Sequence, residues 1–121
     1  MTEDKNQPLR SIEELGEFAL IDHLTAHFET RRSETLKSIG DDAALLDMGA
    51  QKTVLSTDML VEGIHFNLSY MPMRHLGYKS VVVNLSDICA MNARPTHITV
   101  SISVSNRFSL EALEAFYQGV N

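Results

Sequence analysis

Oxygen-bearing side chains gather at three places in this 121-residue chain, Asp41-Asp42, Ser56-Thr57-Asp58 and Asp87, each at the end of an apolar stretch. Hard divalent cations take oxygen ligands, and magnesium in particular binds through a few carboxylates while substrate phosphates and water complete its octahedron. Groups this far apart in sequence make a magnesium-phosphate site only if folding brings them together. The sequence has neither a P-loop nor a dinucleotide fingerprint, and no Ser/His/Asp or Cys/His arrangement stands out. A nucleotide handled by this chain would therefore be handled through metals.

Each cluster also has a plainer explanation. Asp41-Asp42 after Gly40 is a common turn, and Ser56-Thr57-Asp58 is equally a strand end with a capping aspartate. Hydroxyls beside a carboxylate can nonetheless offer several oxygens to one ion, with the carboxylate supplying the charge that favours dehydrating it. Asp87 sits within Val81-Val82-Val83-Asn84-Leu85-Ser86-Asp87-Ile88-Cys89-Ala90, where a carboxylate is costly unless paired or metal-bound. Two readings stay open for it: a metal ligand, or a carboxylate held by Asn84 or a neighbouring backbone amide. His65 alone reads as a satisfied core histidine. Cys89 and the six methionines read as packing, and Met71, Met73 and His75 as a loop before a helix.

The elements that must position these groups follow from periodicity. Residues 1 to 10 are polar, contain Pro8, and read as a flexible arm; residues 11–121 form the domain. Ser11 caps a helical pattern carrying Phe18, Ile21, Leu24 and Phe28, which ends in the polar stretch Glu29 to Ser38. A turn at Ile39-Gly40-Asp41-Asp42 leads into an apolar run, Ala43 to Leu46. After a second turn at Met48-Gly49-Ala50, a strand over Thr53 to Thr57 delivers Ser56, Thr57 and Asp58 at its end. Arg74 to Met91 has helical spacing, with Ser80, Asn84 and Asp87 on one stripe, although the valine run 81–83 would suit a buried strand equally well. Thr96 to Ser105 alternates without a slip, Ile98, Val100, Ile102 and Val104 against Thr99, Ser101, Ser103 and Ser105, and predicts a strand with one dry face. Ser109 then caps a helix carrying Leu110, Leu113, Phe116, Tyr117 and Val120.

With 44% hydrophobic and 21% charged residues, the chain has the composition of one globular domain. A formal charge of −6 argues against nucleic acid or an anionic membrane as the main partner and suits a cation. The single cysteine excludes an internal disulfide. No apolar run approaches the roughly 20 residues that span a bilayer, and MTEDKNQPLR lacks the apolar core of a secretory signal. A cytoplasmic location is expected.

Taken in order, Gly40-Asp41-Asp42-Ala43-Ala44-Leu45, Ser56-Thr57-Asp58-Met59-Leu60-Val61-Glu62-Gly63-Ile64-His65-Phe66 and Asn84-Leu85-Ser86-Asp87-Ile88-Cys89-Ala90-Met91-Asn92-Ala93 resemble the N-terminal domain of thiamine-monophosphate kinase. That family lies in the aminoimidazole-ribonucleotide-synthetase-like superfamily, and the resemblance runs from about Gly16 onward. It implies ATP-dependent phosphorylation of thiamine monophosphate to thiamine diphosphate by direct transfer with magnesium. Asp42 matches a magnesium ligand, Ser56, Thr57 and Asp58 a second group of ligands, Asp87 a carboxylate shared among several ions, and His65 a substrate contact. The fold implied is α+β, a mixed or antiparallel sheet with helices on one face, pairing with a second copy through the sheet to make a homodimer. Family members continue with a Gly-Gly-Asp-Thr segment and a second domain, neither of which is in this sequence. The resemblance thus implies an N-terminal piece that is inactive alone. Two other readings compete: another ATP-using member of the superfamily (a purine-precursor synthetase, selenophosphate synthetase or hydrogenase maturation factor), and a non-catalytic dimerisation or metal-binding module.

Overall fold

The structure is a computed structural model that describes residues 8–121, so most of the expected arm lies outside the described residues. A 3-10 turn, Ile12–Glu14, precedes helix α1, Glu17–Thr25; a short hairpin follows, β1 Thr35–Lys37 with β2 Leu45–Leu46; then come helix α2, Met73–Ala90, and helix α3, Leu110–Val120. Ser11 caps the first turn, its hydroxyl accepting from the Glu13 amide at 3.3 Å. The expected single helix from Ser11 is broken at Gly16, which stands at φ +73° with no side-chain cap.

The helices carry the core. Leu24, Leu110 and Leu113 are buried together, with Ile12, Leu15, Leu20, Met73, Val104 and Tyr117 packed around them. Ser109 caps α3, accepting from the Ala112 amide at 3.2 Å, and Leu110, Leu113 and Phe116 bury one face at i, i+3 and i+6. Tyr117 meets Phe116 and Phe28 edge-on, with ring centroids 5.5 and 6.4 Å apart. The chain before α1 is tied to this layer. The Arg10 carbonyl accepts from the Leu110 amide at 2.9 Å, and the Arg10 guanidinium donates to Glu111 at 2.7 Å and Glu114 at 2.9 Å.

Helix α2 matches its expected span to one residue at each end, valine run included. Packing against α3 decides the ambiguity, and glycines make that packing possible. A Cβ on Gly77 would lie 1.9 Å from the Phe116 carbonyl oxygen, and one on Gly119 would lie 1.9 Å from that of Arg74. Backbone touches backbone here, an approach that any side chain would prevent.

The β expectations fare differently. The Ala43 to Leu46 run does hold a strand, but its antiparallel partner is β1, within the stretch read as polar connection, and not residues 53–57. Thr35 pairs Leu46 and Lys37 pairs Leu45 across an irregularity, so Gly40-Asp41-Asp42 becomes the hairpin connection. Residues 53–57 and 96–105 are not strands: among the described residues, 51–60 and 94–104 make no backbone–backbone hydrogen bond. The helices also pack on one another rather than over one face of a sheet. The physical reason is that a strand exists only with a partner for its amides and carbonyls, and these segments find none within the described chain.

Candidate functional site

Hairpin geometry separates the two aspartates of the first cluster. Asp41 is engaged locally: Lys37, four residues earlier, pairs with its carboxylate, and the Asp42 amide donates to it at 2.8 Å. These hydrogen bonds, that of Lys37 foremost, hold the Asp41 carboxyl below its ordinary range. The Asp42 carboxylate is exposed and accepts no hydrogen bond from the described residues. Of the pair, Asp42 is therefore the one left with open lone pairs.

Ser56, Thr57 and Asp58 lie in irregular chain between the Gly49 turn and the turn that begins at Val61. Ser56 is half-buried and reaches α2, its Oγ lying 3.5 Å from Asp87 Oδ2. Thr57 and Asp58 are exposed. Asp87 is exposed on α2, as are Val82, Cys89 and Ala90 around it, so the desolvation cost expected from an apolar stretch does not arise. Nor does Asn84 hold it, because the Asn84 amide donates to the Ser80 carbonyl at 2.8 Å. Folding thus brings the second and third clusters together through Ser56 and Asp87. Among the described residues no three acidic, histidine or cysteine side chains converge closely enough to form a metal site by themselves, and the carboxylates of Asp42, Asp58 and Asp87 are not gathered into one cluster.

His65 is no core histidine. It is exposed in a compact turn, where its amide donates to the Val61 carbonyl at 2.9 Å and its Nδ1 accepts from the Val61 amide at 2.9 Å. Gly63 permits the turn at φ +81°, and its amide donates to the Phe66 carbonyl at 2.7 Å. Lys79 of α2 donates to the His65 carbonyl at 2.6 Å. Nothing in the sequence singled out Lys79, since a lysine on a helix reads as a solvated side chain until its acceptor is seen.

Residues 40–121 match the family described as AIR synthase related protein, N-terminal domain. The chain belongs to that family. It is 39% identical over 113 residues to the thiamine-monophosphate kinase of Synechococcus elongatus, 38% over 109 residues to that of Aquifex aeolicus and 44% over 92 residues to that of Buchnera aphidicola subsp. Schizaphis graminum. These alignments take in 93%, 90% and 75% of this chain but 33%, 33% and 28% of the relatives. The chain therefore spans about a third of the length of the curated relatives it matches, and the resemblance carried by the three motifs is borne out. No solved structure matches. No helix among the described residues is long and apolar enough to cross a membrane.

Proposed function

We propose that this chain is the N-terminal, nucleotide- and metal-binding part of a cytoplasmic kinase that transfers the terminal phosphoryl group of ATP to thiamine monophosphate, and that the 121 residues alone are inactive. The observation that carries the reading is the similarity to thiamine-monophosphate kinases along nine-tenths of the chain, with all three oxygen-rich motifs inside the matched family region or adjoining it. The donor set supports it by type: Asp42, Ser56, Thr57, Asp58 and Asp87 offer only hard oxygens. Magnesium needs one or two protein carboxylates when phosphates supply the rest, so a closed cage of three acids is not required of the free protein. The 3.5 Å approach of Ser56 Oγ to Asp87 Oδ2 supports that reading.

The chemistry explains why no base is present. The acceptor is itself a phosphate, ionised at neutral pH, so nothing must deprotonate it. The obstacle is repulsion between two anions, which bound magnesium relieves by neutralising charge and aligning the reacting phosphates. The chain's residues would hold the ligand oxygens in place, and His65 would donate from Nε2 to the substrate. Pairing of residues 96–105 with a second copy would complete the sheet; Ile98, Val100 and Ile102, exposed at 47%, 40% and 41%, are the apolar face such a homodimer would cover.

Purified complete protein supplied with ATP, magnesium and thiamine monophosphate should form thiamine diphosphate, and ATP consumption should depend on that acceptor. Asp87→Asn should lower kcat by roughly a hundredfold or more with little change in melting temperature, because an amide cannot supply the carboxylate's charge. ATP consumption driven instead by a purine precursor, or a rate untouched by the substitution, would refute the assignment. Turnover by residues 1–121 alone near that of the complete protein would refute the inactivity of the piece.

A further inference from the structure

Two side-chain hydrogen bonds tie residues 51–66 to the rest of the described chain, and both come from α2: the contact of Asp87 with Ser56 and that of Lys79 with the His65 carbonyl. Lys79 and Asp87 are eight residues apart, about 12 Å along a helix axis. One rigid element therefore holds the segment at residues 56 and 65, while its own backbone is unpaired over residues 51–60. The 61–66 turn is otherwise closed on itself, through Ile64 and His65 amides to the Val61 carbonyl at 3.2 and 2.9 Å and Gly63 to Phe66 at 2.7 Å. It is rigid inside, and Lys79 is the hydrogen-bonded anchor that fixes where it sits.

The turn also fixes which ring nitrogen of a neutral His65 carries the proton. A ring nitrogen that accepts from a backbone amide must present a lone pair, so Nδ1 is bare and the proton of neutral His65 is on Nε2. Nε2 has no partner among the described residues. A neutral imidazole held this way is a single donor, suited to an anionic oxygen such as that of a phosphate ester.

We propose that Lys79 is a positioning residue: its ammonium holds the 61–66 turn on α2, so that His65 presents Nε2–H to the acceptor substrate at a fixed separation from Asp87. The proposal rests on the reading of His65 as a substrate contact. A charged donor on a carbonyl is stronger than a neutral one, which suits a single anchor.

The test uses the complete protein with Lys79→Met, Lys79→Gln and Lys79→Arg. Lys79→Met should raise KM for thiamine monophosphate about tenfold or more, with kcat and KM for ATP within about threefold, and Lys79→Arg should restore most of the loss. Nitrogen-15 spectra of histidine-labelled protein should show His65 as the Nε2-protonated tautomer in both the unaltered protein and Lys79→Met, because the Val61 amide sets it, whereas the His65 backbone amide signal should shift in Lys79→Met, which has lost the anchor on the His65 carbonyl. If Lys79→Met does not fold, Lys79→Gln, which keeps a shorter donor, is read by the same criteria. An unchanged His65 backbone amide signal, or equal losses for both substrates alongside a lower melting temperature that arginine does not repair, would overturn the proposal. Absence of any thiamine monophosphate turnover by unaltered protein would instead sink the kinase assignment, while the spectra would still decide whether Lys79 sets the turn.

Discussion

The helical layer and the two β-patterned stretches both carry patterned apolar side chains but meet opposite fates. In the first, Leu24, Leu76, Leu110, Leu113 and Phe116 are buried and the backbone is satisfied within each helix. In the second, Leu55, Met59, Val100 and Ile102 remain exposed and the backbone is unpaired. A helix closes its hydrogen bonds four residues away, whereas a strand must import them from another segment, so one can form on local instructions and the other waits for a partner. The candidate ligands Ser56, Thr57 and Asp58 lie in the waiting region, and Asp87 lies in the finished one.

The sharpest way to break this contrast is to empty one side chain from each region. Leu113 is 1% exposed and Leu55 is 93% exposed. Leu113→Ala should cost roughly 3–4 kcal/mol, through lost burial and the cavity left behind. Leu55→Ala should fall within about 0.5 kcal/mol in the monomer. Chemical denaturation of the two variants side by side measures the difference. Similar losses would mean that the segment around Leu55 packs in solution.

The α2–α3 crossing gives the next effect, with a sign that ordinary propensity gets wrong. Replacing a mid-helix glycine by alanine normally gains about 1 kcal/mol. At Gly77 the new methyl would meet the Phe116 carbonyl oxygen, a backbone atom that cannot rotate aside. Gly77→Ala should therefore destabilise by roughly 2–3 kcal/mol net, and Gly119→Ala should follow it. A rise in melting temperature for either would show that the helices stand farther apart.

How much of this was legible in the sequence divides along the same line. Helices α2 and α3 and the Ser109 cap could be read because their signals, spacing and capping, act within a few residues. The alternation over 96–105 is equally clear, but alternation specifies which face is dry and says nothing about which segment pairs with it. For β2 the partner was missed because Thr35-Leu36-Lys37 is too short and polar to stand out from Glu29 to Ser38. At the site, the approach of Ser56 to Asp87 was foreseeable from chemistry, whereas the separate fates of Asp41 and Asp42 turn on Lys37, whose i,i+4 spacing to Asp41 was the available signal.

If the second region does await another copy of the chain, alternation makes a register test possible. Val100→Glu puts a charge on the apolar face and should weaken self-association about thirtyfold, roughly 2 kcal/mol, by sedimentation. Ser101→Glu, one residue on, points to the opposite face and should change it by less than about threefold. Equal effects from neighbouring positions would remove the argument for a paired strand there.

The smallest effect concerns what fastens the start of the chain to α3. The Arg10 guanidinium's hydrogen bond, foremost among several contacts, holds the Glu111 carboxyl below its ordinary value of 4.5. A carboxyl lowered in the fold adds stability that is complete above that ordinary value and is lost as the pH falls through the lowered one. The same cluster contains Glu114, which accepts from Arg10 at 2.9 Å and meets His23 Nε2 at 2.6 Å. Arg10→Met should therefore lower the melting temperature by a degree or so at about pH 6, and the gap from unaltered protein should close towards about pH 3. Because these groups are solvent-exposed, added salt should narrow the gap at about pH 6 as well. A gap that persists in acid and in salt would mean that Arg10 contributes through the packing of its aliphatic stem, and the helical layer would then reach its N-terminal neighbour by burial rather than by charge.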